Sequence, residues 1–299
     1  MFKNASIYKI KDRNFGAVDL SMALEKHAFS PIGLSQEKSI GFVRLHSELE
    51  AGSEFGYCRQ VPGAIFVKLR IQTKTVPASV VKELMESKCD QIMQDTGRKP
   101  GKKERRELSE DIRISLLPQA FPKTQDVLAF VDRDCDWLVI DSASQAMCDD
   151  FITALVKAVD GLSLQMLNVK NAPASVMATW LLHGEQSDLF NIGSECELKA
   201  ADESKATVRY KNHQLDTLEV QGHIVSGKMP TKLALESGER MSFVMTDDLR
   251  LTNLAFLDVV FEGKEGAEDG QLADMYIIAK ELREVIAGVI TIYGGEVAL

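Results

Sequence analysis

The chain has 299 residues, 45% hydrophobic and 26% charged, with a formal net charge of −9. That is the ordinary make-up of a folded soluble protein with a real core. Five scattered cysteines (Cys58, Cys89, Cys135, Cys148 and Cys196) form no C-x-x-C pair, which excludes a zinc knuckle or a redox motif and fits a reducing cytoplasm.

The start, "MFKNASIYKIKDR", is charged from residue 3 and has no apolar h-region, so no signal peptide is expected. The longest uncharged apolar run, "VIAGVITIYGG" at 285–295, is too short to span a bilayer. A soluble cytoplasmic protein without membrane contact is expected.

In chain order, "GAIFVKLRIQTKTVP" (63–77) alternates. Val67, Leu69 and Ile71 point one way; Lys68, Arg70, Gln72 and Lys74 point the other. Period two predicts a half-buried strand with one cationic face. Ser79 is placed to cap a helix over 80–94, striped by Val81, Leu84, Met85, Cys89 and Ile92 and stopped by Gly97. Pro100-Gly101 is a turn signal. From Lys103 a second helix is predicted, with Leu108, Ile112, Ser115 and Leu116 on one face, ending at Pro118. Residues 125–141 read as a β-hairpin around Asp132–Asp136. A helix capped by Ser142 or Ser144 runs to Ala158.

Further on, a strand near 163–168 and a helix at 174–183 are predicted, then strands at 195–200 and 206–211. Asp216 and Glu219, at capping-box spacing, open a short helix. "PTKLALES", "RMSFVMTDD" and "LRLTNLAFLD" make a three-strand meander. Residues 263–271 form an acidic, glycine-rich loop. The last element is a helix over 272–293 with Met275, Ile278, Leu282, Val285, Ile286, Val289 and Tyr293 as its stripe. Hairpins and meanders with packed helices, and no regular βαβ rhythm, define an α+β fold.

Little here points to catalysis. Asp132, Asp134, Asp136 and Asp141 could hold Mg²⁺ or Ca²⁺ as in a nuclease. A calcium loop, however, would need Gly and Glu where Trp137 and Ala143 stand. Aspartate also favours turns. His27, His46, His183, His213 and His223 are isolated, and neither a nucleophile elbow nor a phosphate-binding loop is present. No enzyme, metal or cofactor is expected.

Charge distribution carries more content. Six of the nine residues from Arg98 to Arg106 are Lys or Arg. Residues 68–106 hold eleven basic and five acidic residues, a net +6, so the remainder is −15. Such a run is either a solvated face or a place to hold a polyanion. The candidate phosphate contacts are Lys68, Arg70, Lys74, Arg98, Lys99, Lys102 and Lys103. On a second strand Arg209, Lys211 and His213 alternate to one face. No recognition-helix pattern accompanies them, so phosphates rather than base edges are the expected target. Phe121, between Pro118 and Pro122, belongs to no amphipathic stripe. It either folds back onto its own core or is offered to a partner.

"FKNASIYKI", "AFSPIG", "SLLPQAFPK", "TKLALES" and "FVMTDD", in this order, resemble the bacterial recombination-associated RdgC family, and the likeness continues to "YGGEVAL". The resemblance implies a non-enzymatic protein that binds DNA with little sequence preference. It implies horseshoe-shaped subunits closing as a ring homodimer around duplex DNA, which limits loading of the RecA recombinase. Double-stranded DNA is the expected partner, single-stranded DNA a further candidate, and the nucleoid the expected place. The family's hairpin arginine falls on Arg98, its strand lysine on Lys211, and its interface phenylalanine on Phe121. Where the family carries Lys-Gln after that lysine, this chain has Asn212-His213. The chain is expected to act as one unit, 1–299, with a mixed body at 1–76 and 124–299. A basic helical hairpin at 77–123 projects to a dimer contact. A regulator binding the recombinase itself is the alternative, and a metal nuclease a more distant one.

Overall fold

The computed structural model describes residues 2–11, 15–45, 56–184, 187–261 and 270–297. The expected acidic loop at 263–271 lies mostly outside the described residues, as does His46. The fold is α+β, and all named strand pairs are antiparallel. The chain divides into two compact units. The first comprises Met1–Lys26, Arg44–Lys68 and Val127–Leu299; the second comprises His27–Val43 and Leu69–Asp126. The region expected as a hairpin, 77–123, lies inside the second unit.

In the first unit β1 (Ser6–Ile10) pairs with both β6 (Trp137–Ile140) and β7 (Leu164–Met166). β6 also pairs with the end of β5 (Pro122–Asp132), and β3 (Cys58–Val61) pairs with the start of β4 (Ala64–Lys74). A second sheet has the order β12-β11-β10-β8-β9. Its strands are β8 (Asn191–Ala200), β9 (Thr207–Tyr210), β10 (Lys228–Ser237), β11 (Met241–Thr246) and β12 (Leu251–Phe256). The predicted meander is β10-β11-β12. The segment ahead of β1 stitches to this sheet: Ala5 N donates to Leu251 O at 2.7 Å and Leu251 N to Ala5 O at 3.0 Å.

The core lies in this unit. All seven stripe residues of α7 (Gly270–Ile292) and its end, Met275 to Tyr293, are buried. A helix that long with a continuous apolar stripe can be stable only if a core covers the stripe. Phe2, Phe66 and Phe130 meet with ring centroids 5.3–6.3 Å apart. α4 (Gln145–Ala158) follows Ser144, and α5 (Pro173–His183) ends at Gly184, which takes the left-handed conformation that glycine allows at φ +68°. α6 (Leu218–Val225) departs from expectation. Thr217 caps it by accepting from Val220 N at 3.4 Å, not Asp216. Glu219 instead accepts the Tyr210 hydroxyl at 2.9 Å. α1 (Ala17–Glu25) had no sequence-based prediction.

In the second unit β2 (Lys38–Phe42) pairs with Leu69–Thr73 of β4. Two helices follow, α2 (Ala78–Thr96) and α3 (Lys102–Leu116). α2 begins two residues earlier than Ser79 would place it, with Pro77 as its N-cap residue. Its expected core stripe is a weak one. Val81 is buried, but Leu84 is 41% exposed and Met85, Cys89 and Ile92 are half-buried. In α3 Ile112 is the buried residue. Arg113 on α3 pairs with Glu37 just ahead of β2.

Candidate nucleic-acid interface

The basic hairpin is built by two backbone devices. Gly97 closes α2 in the left-handed conformation at φ +69°, and Gly101 opens α3 in an extended one. Between them the chain reverses within Gly97–Gly101, and Pro100 is buried in the turn. Lys99, Lys102, Arg105 and Arg106 are exposed, and among the described residues none has a carboxylate partner. Lys103 reaches Glu107 at 3.9 Å with both side chains in water, a contact of little strength.

Arg98 is different. Its guanidinium holds Glu104 through Nη1–Oε2 at 2.8 Å and Nη2–Oε1 at 3.2 Å. Hydrogen bonding from Arg98 keeps the Glu104 carboxyl below its ordinary range.

The polar side of β4 is less available than alternation suggests. Val67, Leu69 and Ile71 are buried, and Lys68, Arg70 and Lys74 are half-buried. Arg70 is bound bidentately by Asp126 at 2.7 and 2.8 Å and lies 5.7 Å from the Phe29 ring centroid. Lys74 donates to the carbonyls of Gly33 and Leu34 at 3.1 and 3.0 Å. These two cations secure their own unit. Lys68 alone of the three has neither an ion-pair nor a side-chain hydrogen-bond partner among the described residues.

The second cationic surface belongs to the five-stranded sheet of the first unit. A cleft of about 660 Å³ there is lined by the cations Lys199, Arg209, Lys211, Lys232 and Arg250 and by the acids Glu195, Glu197, Asp247 and Asp248. Arg209 Nε donates to Glu197 at 2.6 Å, and Lys232 Nζ stands 3.4 Å from the same carboxylate. Burial pushes Glu197 up, but hydrogen bonds from Thr231 and Arg209 and the charge of Lys232 prevail and hold it down. Lys211 is exposed and has no ion-pair partner among the described residues. The expected alternation through His213 fails. β9 stops at Tyr210, and Asn212 turns the chain at φ +50°. Asparagine tolerates that left-handed conformation better than most side chains. His213 leaves the strand row, and its ring sits 5.2 Å from that of Tyr210. Lys199 and Lys232 were missed as site candidates. Strand alternation within "CELKA" and "TKLAL" was the available signal.

Phe121 lies between a short 3-10 turn (Leu117–Gln119) and β5, and is 93% exposed. Of the two options left open by its sequence setting, folding back onto the core of its own chain is ruled out.

The aspartates of the β5–β6 turn have structural partners. Asp132, fully buried, accepts Arg283 Nε at 2.6 Å and the backbone N–H groups of Asp134 and Cys135 at 2.9 Å. Asp134 takes Arg283 Nη1 at 2.7 Å. Asp141 accepts from the backbone of Lys3 and Asn4 at 3.0 and 2.9 Å. Among the described residues no group of three His, Cys, Asp or Glu is placed to hold a metal.

The family model described as "Putative exonuclease, RdgC" matches residues 1–296. The chain belongs to the RdgC family. Proteins named recombination-associated protein RdgC are similar along their whole length. That of Bordetella pertussis is 33% identical over 99% of this chain and 98% of its own. Those of Herminiimonas arsenicoxydans and Cupriavidus pinatubonensis are each 34% identical over 99% of this chain, covering 99% and 98% of theirs. The RdgC segments quoted above now have places in the fold. "FKNASIYKI" is the stitch and β1, "SLLPQAFPK" carries the end of α3 and Phe121, and "TKLALES" lies within β10. No helix among the described residues of this RdgC chain is long and apolar enough to cross a membrane.

Proposed function

We propose that this RdgC protein binds DNA without sequence preference by gripping phosphates. In this reading it works as a homodimer that closes around duplex DNA in the nucleoid and so limits loading of the RecA recombinase. The observation that carries the reading is the hairpin tip. Lys99, Lys102, Arg105 and Arg106 stand exposed without carboxylate partners among the described residues, in a chain of net charge −9. Placing like charges together costs free energy unless an anion compensates them. Lys211, exposed on the sheet surface, adds a second point of contact. Membership of a family named for recombination supports the same reading.

Binding to random-sequence duplex should weaken with salt, by ~0.9 in log affinity per log salt for each phosphate neutralised. Arg98→Ala and Lys211→Ala should each weaken all sequences alike and flatten that slope by roughly one unit. Losses confined to some sequences would contradict phosphate gripping. Binding that appears only when recombinase is present would favour direct action on the recombinase.

The exonuclease description of the family model favours a second reading. The commitment of Asp132 and Asp134 to Arg283 speaks against a metal site at that turn. We expect no Mg²⁺-dependent nicking of plasmid or digestion of linear duplex. Cleavage that Asp134→Asn abolishes would overturn the non-enzymatic reading.

A further inference from the structure

We propose that Glu104 sets the DNA affinity of the hairpin, by holding Arg98 in a bidentate pair that a phosphate must displace. The inference rests on the phosphate-gripping reading above. Glu104 is the single acid between Arg98 and Arg106. It is spent on the arginine and on no other cation of the tip. Both of its oxygens face the two Nη groups, at 2.8 and 3.2 Å. The guanidinium fork fits a carboxylate and a phosphate in the same way, so the two anions compete for the same N–H groups. The pair is placed by the fold. Glu104 lies at the third position of α3, where its Oε2 also accepts Gly101 N at 3.4 Å, and Gly97 turns Arg98 toward it.

Two consequences follow. While Glu104 stays in place, Arg98 adds little net field, and the approach of DNA is steered by Lys99, Lys102, Arg105 and Arg106. When a phosphate takes Arg98, Glu104 is left beside a polyanion, which weakens the complex and makes it easier to exchange. A protein that must coat DNA and still let go of it gains from such a built-in competitor.

The test is Glu104→Gln. Glutamine keeps a hydrogen-bond acceptor at the third helical position, so α3 remains capped and the melting temperature should not move. Affinity for a random duplex should rise by up to roughly fivefold, the upper end for release of an exposed ion pair. Glu107→Gln removes the same charge one turn along α3, from the exposed Lys103 contact. It should give a clearly smaller gain. Adding Arg98→Ala to Glu104→Gln should abolish the gain, because the released arginine is its source. If Glu104→Gln and Glu107→Gln strengthen binding equally, or Glu104→Gln weakens it, this inference fails while the DNA reading stands. If neither wild type nor any variant binds the duplex at low salt, the DNA reading fails and takes this inference with it.

Discussion

Replacing Asp132 by alanine should destabilise the protein by about 3 kcal/mol, a fall of roughly 6–12 °C in Tm. The carboxylate is fully buried and serves three donors at once: Arg283 Nε and the N–H groups of Asp134 and Cys135. Alanine would leave all three without it. Arg283 also donates to Gly63 O at 3.1 Å, so the β3–β4 turn, the β5–β6 turn and α7 meet at this one group. Gly63 has φ +77°, and a Cβ there would run into the Arg283 guanidinium, so glycine suits the approach. Asp132→Asn keeps an acceptor for the two N–H groups and should cost less. Urea or thermal unfolding followed by circular dichroism reads the difference. Equal and negligible losses in both variants would show that the turn does not depend on the pair.

Phe121→Ser should leave the fold intact and remove retention on DNA. A side chain 93% exposed contributes almost nothing to its own core, so Tm should stay within about 1 °C of wild type. In the proposed ring dimer the side chain would be buried in the partner as an interface anchor, whose loss would cost ~2 kcal/mol or more. A ring of two subunits has two contacts, and the other should survive. The expected species in solution is a dimer open at one side. It should bind duplex at low salt through its phosphate contacts, and slide off or exchange faster as salt rises. Competition kinetics on a circular duplex beside a linear one separate the two behaviours, because a closed ring leaves a circle only by opening. Unchanged retention on circles would show that Phe121 is not the anchor that closes the ring.

The same two residues show how far the sequence carries. Phe121 could be singled out because flanking prolines removed it from every periodic stripe, yet its neighbours in space were needed to tell an exposed ring from a buried one. Asp132 could be read as a turn residue or a metal ligand. Its partner, Arg283, lies 151 positions away, and no local pattern joins them.

Local chemistry by itself determined the α+β class, the β10-β11-β12 meander, the buried stripe of α7 and the basic hairpin with its Pro100-Gly101 turn. Each follows from the period of apolar side chains or from the backbone freedom of Gly and Pro, which act within a few residues. Tertiary structure alone decided which cations are available. Arg70 is neutralised by Asp126, Lys74 is tied to the carbonyls of Gly33 and Leu34, and Arg209 is held by Glu197. It also ended β9 at Tyr210 and so took His213 out of its row. The physical reason is that alternation fixes the side of a strand on which a charge emerges. Whether that charge then meets a carboxylate or water depends on what lies opposite, and long-range pairing alone puts it there.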